Sequence, residues 1–356
     1  MLAPTFNSGF KQATLTIAAI DAAVSAQGDG GFRPHLGASL IGKPCHRAIW
    51  YCFRWCKASS YDARMLRLFE RGHQEESRLG TYLRKAGMTL HQIDPNTGNQ
   101  YTFSEYGGHF GGSMDGAVFQ VPDAPAVWHV WECKTASKKA FVELSNKGVK
   151  VAKPEHWAQM QCYMHWTGMR RALYTVVCKN DDRLHIERID YDETAANAFM
   201  LKAASIIFTA VPPQRIGEPD SLPCRWCEYK AMCHEQQAPQ VNCRTCTHST
   251  PERTGEWTCI RQNAPLPLPQ QRTGCDEHRF ISQMLHWLEP VQAHDAHNWI
   301  RYRMPETGWE FTNGDPPDGF LSREIFASQD KNGLAMVAND PELMALRKHF
   351  GGEIVS

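Results

Sequence analysis

The chain has 356 residues, 42% of them hydrophobic and 21% charged, the composition of a globular protein long enough for two or three units. Lys+Arg and Asp+Glu balance at 38 each, so any binding to a polyanion must come from local patches and not from overall charge. No apolar run approaches the roughly 18 residues of a membrane span, and without a GxxxxGK[ST] loop no ATP binding is expected.

At the N-terminus TLTIAAIDAAVSA has a faint signal-peptide character. Asp21 interrupts it and Lys11 is the only positive charge before it, so it reads as an amphipathic helix ending near QGDGGF. SLIGKPCHRAIWYCFRW reads as a helix or helix entrance crowded with aromatic and basic residues. Residues 62–87 are predicted as a long amphipathic helix. From Arg33 to Lys85 eleven Lys/Arg stand against four Asp/Glu, and 134–153 is a second basic run. Each is either a solvated helix face or a phosphate track. Strands are expected over 109–120 and 127–135, parted by the turn VPDAPA. A helix should start at Pro154 and run to about Thr167, before Gly168. ALYTVVCK and LHIERIDY predict two strands around the turn NDD, and 193–210 a further helix. From Cys224 to Cys275 the chain is rich in Cys, Pro, Thr and Arg and poor in aliphatic residues. The tail 281–356 recovers a small globular pattern, closing on a helix with Asp340 as cap, Pro341 in its first turn and Gly351 just past its end.

Within WECKT, residues 131–135, strand periodicity puts Glu132 and Lys134 on one face and Cys133 on the other. Upstream, GGSMDG places Asp115 among small residues that leave room for close approach. Two carboxylates and an ammonium at one end of a hairpin suit Mg²⁺ or Mn²⁺ with a phosphate substrate, although Glu-x-Lys alone is equally well a surface salt bridge. At 100° per residue along 65–83, Met65, Phe69, Leu79 and Leu83 share a face. Glu76 falls near its centre with Gly72 beside it, and His73 and Glu75 lie at its margins. A carboxylate on a buried face needs a partner. In PEHWAQMQCYMHW, Gln159 and Tyr163 stack at i and i+4, as core hydrogen-bonders or as part of a site.

In order and spacing, GxxxE on a helix, GSMDG, WECKT and QxxxY resemble the PD-(D/E)XK nuclease superfamily in its RecB-like and lambda-exonuclease-like branch, over roughly residues 37–235. The resemblance implies an α/β fold: a mixed central sheet flanked by helices (a restriction-endonuclease-like core), with a metal site where Asp115 and Glu132 meet. It assigns Glu76, Asp115 and Glu132 as ligands of Mg²⁺ or Mn²⁺. Lys134 would position the attacking water, and Gln159 and Tyr163 the metal-bound strand. Many RecB-like members carry histidine where this chain has Glu76, which matches the lambda-exonuclease-like pattern; His73 is the alternative helix ligand.

Thirteen cysteines, several in CxxC spacing, favour metal or cluster ligation in a reducing cytoplasm over disulfides. Cys224, Cys227 and Cys233 need a fourth partner, for which Cys45 is the candidate. One cysteine before the core and three after it resemble the iron–sulfur staple of AddB-type helicase-nucleases and of Cas-family adaptation nucleases, implying a [4Fe–4S] cluster. Zinc held by three cysteines and His234 is the alternative. Cys243, Cys246, Cys259 and Cys275 suit a structural Zn²⁺, with His248 or His278 as alternative ligands. Cys52, Cys56, Cys133, Cys162 and Cys178 are expected to be small buried hydrophobes.

The expected organisation is an N-terminal helical arm (1–30), a nuclease domain with its iron–sulfur staple (31–238), a Cys-rich zinc module (239–280) and a small C-terminal α+β region (281–356). The expected function is a metal-dependent exonuclease acting on DNA duplex ends in recombination or genome processing, similar to phage-encoded recombination exonucleases and placed in the (host) cytoplasm. A single-strand annealing protein is a conceivable partner. The alternatives are a CRISPR-adaptation-type nuclease and a non-catalytic DNA- or partner-binding module on the same fold.

Overall fold

The structure is a computed structural model and describes residues 13–26, 32–58, 61–314, 319–328, 337–351 and 353; the glycines of QGDGGF lie outside them. Helix α1 (Thr14–Ser25) is followed by the short strand β1 (Leu36–Gly37) and by α2 (His46–Phe53), which buries Ile49, Trp50, Tyr51 and Phe53. Helix α3 (Ala63–Lys85) starts on Asp62, whose carboxylate accepts from Met65 N at 2.7 Å. Its apolar stripe is buried only along the C-terminal half, where Leu79 and Leu83 meet Trp131, Cys133 and Leu173. Phe69, expected on the same face, is 41% exposed and instead meets Tyr61 edge-on.

Then come β2 (Thr89–His91), β3 (Thr102–Glu105), β4 (Phe110–Ser113), β5 (Gly116–Phe119), β6 (His129–Ala136), α4 (Lys138–Lys147), α5 (Val149–Ala152), α6 (Pro154–Thr167), β7 (Arg171–Cys178), β8 (Leu184–Asp190) and α7 (Glu193–Ile207). The main sheet runs β2-β5-β6-β7-β8, and a small sheet runs β1-β4-β3. Within the main sheet β6–β7 pair in parallel and the other neighbours antiparallel, as a crossover through α4–α6 requires. The single strand expected over 109–120 is thus two strands in two sheets, parted at Met114 and Asp115. Helix α4 was not expected: it lies in the second basic run, capped by Ser137 and burying Phe141 and Leu144.

Side chains of β6 alternate as the strand period requires. Trp131 and Cys133 pack toward α3, whereas Val130 joins the core that contains Met160 and Tyr163 of α6. Cys56, Cys133, Cys162 and Cys178 are buried as expected, but Cys52 is only partly so. Among the described residues no helix is long and apolar enough to cross a membrane.

The Cys-rich stretch carries the short helices α8 (Leu222–Arg225) and α9 (Lys230–His234), a three-stranded sheet of β9 (Ser249–Pro251), β10 (Trp257–Cys259) and β11 (Ala264–Pro265), and α10 (Leu268–Thr273). Cys243, Trp257 and Leu266 join the same apolar core as α2 and α6. Two buried arginines fasten it there without a carboxylate partner. Arg244 lies 3.6 Å from the Trp55 ring centroid and donates to the carbonyls of Phe53 (3.0 Å) and Pro34 (2.8 Å). Arg54 donates to the carbonyls of Arg244 (3.1 Å) and Thr209 (3.2 Å). A second core around Phe280, Tyr302 and Phe311 belongs to the sheet of β12 (Glu289–His294), β13 (Trp299–Arg303) and β14 (Glu310–Asn313), with α11 (Ser322–Ala327). The last helix, α12 (Pro341–Phe350), is capped by Asp340 and stopped by Gly351 in the left-handed region, as its sequence predicts.

Candidate active site

The β5–β6 ladder ends at Gly116–Trp131. Beyond that fork the N–H of Cys133 donates to Asp115 Oδ2 at 2.8 Å. Asp115 lies in the break between β4 and β5, and this break is braced from below. Tyr163 donates to the Ser113 carbonyl at 2.7 Å and receives the Gln159 amide at 3.0 Å. Gly112 makes room for it, since a Cβ there would lie 2.8 Å from the Tyr163 hydroxyl. Gln159 is 7% exposed and Tyr163 1%. Both are hydrogen-bonded inside the protein and hold the bend that presents Asp115.

Glu132 is fully buried on β6, bonded through Oε1 to the Lys134 ammonium. Its Oε2 is buried without any hydrogen-bond partner among the described residues. Burial, and then the nearby Asp115 charge, push the Glu132 carboxyl up to about 8. Burial raises Asp115 as well, against the pull of Lys134. From α3 on the other side, Glu76 is raised to about 7 by burial and by Asp115. Gln92, whose Oε1 accepts from Arg84 at 2.9 Å, lies close enough to Glu76 to oppose that rise. Burial disfavours the Lys134 ammonium, but Glu132 and Asp115 outweigh it and raise its pKa. His73 stands exposed at the rim, close enough for its charge to act on Asp115.

Three carboxyl groups and one ammonium therefore converge, with two of the acids held protonated and one buried oxygen orphaned among the described residues. That donor set suits a hard divalent cation. As the side chains stand, no three His, Cys, Asp or Glu among the described residues are drawn together closely enough to hold an ion. Gln92 was not foreseen, and neither were His156 and Tyr174, which lie on the Glu132 side of the sheet; a lone Gln, His or Tyr in sequence carries no signal of such contacts.

The expected cysteine sets gather at two cavities. Cys45, Cys224, Cys227 and Cys233 line one, together with Arg47, Lys230 and His234. His234 Nε2 is buried there without a partner. Cys243, Cys246, Cys259 and Cys275 line the other, beside His248 and His278. His248 Nε2 pairs with Asn298 at 2.7 Å and His278 Nε2 with Thr245 at 3.1 Å, while His278 Nδ1 is buried without a partner among the described residues. Burial raises the Cys243 thiol to about 12, followed by the charges of Cys246, Cys275 and Cys259. The Cys243 thiol is held protonated unless a cation joins the set.

No protein-family model matches the sequence, and no curated protein is similar to it. Among solved structures, it is similar to an alkaline exonuclease, LHK-Exo, from Laribacter hongkongensis at 19% identity and a TM-score of 0.34, over 53% of this chain and 90% of that one. A phage-related exonuclease from Haemophilus somnus 129PT aligns at 10% identity and a TM-score of 0.35, over 48% of this chain and 91% of that one. The protein SSO0001 aligns at 13% identity and a TM-score of 0.37, over 63% and 98%. At such scores the likeness carries no functional weight, and the reading below rests on the residues.

Proposed function

We propose that this chain is a divalent-metal-dependent DNA exonuclease that hydrolyses phosphodiester bonds at duplex ends. The observation that carries the reading is the cluster at the β5–β6 fork: Glu76, Asp115 and Glu132 around Lys134, with Glu132 Oε2 buried and unpartnered. A buried carboxylate oxygen without a hydrogen-bond partner among the described residues calls for one, and a metal ion would supply it. Glu76, Asp115 and Glu132 would hold Mg²⁺ or Mn²⁺, which when bound supplies Lewis-acid activation of the phosphate and of a water. Lys134 is pinned to Glu132 and keeps its charge, so it serves to orient the attacking water and to neutralise charge building on the scissile phosphate. Exposed Arg64, Arg67 and Arg71 on α3 and Lys138 and Lys139 on α4 flank the elements that carry the site, as a phosphate track would. For the first cysteine set the proposed occupant is a [4Fe–4S] cluster joining the two ends of the nuclease domain, with Arg47 and Lys230 offsetting the thiolate charge. For the second it is a structural Zn²⁺ held by the four thiolates that line that cavity.

The test is incubation of the purified protein with linear and with covalently closed duplex DNA, in Mg²⁺ or Mn²⁺ and in chelator. Nucleotide release from linear DNA alone, abolished by chelator, is the expected outcome. Cleavage unaffected by chelator, or closed circles cut as fast as linear DNA, would reject it.

A further inference from the structure

The catalytic reading leaves one polar pair beside Lys134 without a role. His156 lies in the first turn of α6, on the face of the sheet that carries Glu132. Its Nδ1 is 2.6 Å from the Tyr174 hydroxyl. Tyr174 is fully buried on β7, where its Cα partner in the parallel ladder is Glu132 itself. A buried hydroxyl hydrogen needs an acceptor, and Nδ1 is the one Tyr174 has. The phenol therefore donates to Nδ1, which places the ring proton on Nε2. That second nitrogen makes no hydrogen bond within the described residues, and the His156 side chain is only partly buried. Burial, Lys134 and Lys153 keep the imidazole neutral, with its pKa lowered to about 3.

We propose that His156 is a substrate-contacting residue of this site, its Nε2–H donating to a phosphate oxygen of the DNA strand beside Lys134, and that Tyr174 is the positioning residue that fixes this tautomer. The inference rests on the nuclease reading above. A neutral donor is suited to this place. Lys134 is already tied to Glu132, so a phosphate arriving here lacks a full hydrogen-bond complement. A second cation would instead oppose a metal ion held by the carboxylates. The arrangement supplies direction without charge, the role that backbone N–H groups play elsewhere in oxyanion recognition.

Steady-state kinetics on linear duplex DNA test it, with wild type, His156→Ala, His156→Gln, His156→Asn and Tyr174→Phe. A glutamine amide reaches the Nε2 position and an asparagine amide only the Nδ1 position. The expected result is a loss of about 10- to 100-fold in kcat/KM for Ala and Asn, the size of one or two lost hydrogen bonds at a charged acceptor. Gln should stay within a few-fold of wild type, and Mn²⁺ affinity without DNA should be unchanged throughout. Tyr174→Phe should cost several-fold on the wild-type background and nothing further on His156→Ala, the signature of two residues acting as a unit. His156→Ala with kcat/KM equal to wild type would overturn the proposal, as would equal losses for Gln and Ala. Lys134→Ala, run alongside, separates the two failures. If wild type cleaves and Lys134→Ala does not, a His156→Ala that cleaves like wild type refutes this inference alone; if wild type and Lys134→Ala cleave alike, the assignment of this site falls first and takes the inference with it.

Discussion

Glu132 and Glu76 are acids held in their protonated form by the fold, at about 8 and about 7, against about 4.3 for a free glutamate. Because the folded-state values are raised, the folded protein keeps protons that the unfolded chain gives up. Their contribution to stability is complete below the unfolded value and is lost as pH rises through 7 to 8. In chelator the melting temperature should therefore fall by several degrees between pH 5 and 8.5. Glu132→Gln should flatten that fall, and Mn²⁺ should lift it most at the alkaline end, since metal binding displaces the protons. Thermal melts across this range check it; an equal slope for wild type and Glu132→Gln would show that Glu132 does not titrate in this way. The site was partly legible at this scale. Glu132, Lys134 and Asp115 follow from strand period and neighbouring glycines, and Glu76 from its place on an apolar face. Gln92, His156 and Tyr174 did not follow, because their roles arise from contacts between elements far apart in the chain.

Among the elements, those with local punctuation were readable: α6 between Pro154 and Gly168, and α12 between Asp340 and Gly351. The β4–β5 break was not readable, since the alternation of small and apolar residues runs on through Met114. What divides the strands is tertiary, the pull of Tyr163 on the Ser113 carbonyl. Helix α4 was hidden by its own lysines, although Ser137 and the Phe141–Leu144 spacing mark it. The second cysteine set was assembled from spacing and the first from spacing plus the resemblance that brought in Cys45, and each of the two gathers at its own cavity. Metal analysis after anaerobic purification should find about four irons and about one zinc per chain. Cys227→Ser should bleach the visible absorption and lose iron while keeping zinc, and Cys246→Ser should do the reverse. Zinc at both sites would replace the cluster by the Cys₃His arrangement that His234 offers.

Across the whole molecule, the Cys-rich segment is fastened to the α/β core by Arg244 and Arg54, each held by carbonyls and aromatic faces. Arg244→Ala would strand the carbonyls of Phe53 and Pro34 and the Gln271 amide oxygen. A loss of about 3 kcal/mol or more is expected, read as a lower melting midpoint with KM for DNA unchanged. A near-neutral effect would mean that the segment holds to the core by other means. The sheet, α3 and α6 meet at the one fork where three acids surround Lys134, and the functional reading depends on that meeting. Its most direct test is the rate of nucleotide release from linear duplex DNA in Mg²⁺ by wild type and by Lys134→Ala at matched folding. A loss of at least about 100-fold in kcat is expected, in line with removing a group that stabilises transition-state charge; equal rates would contradict the assignment of this site.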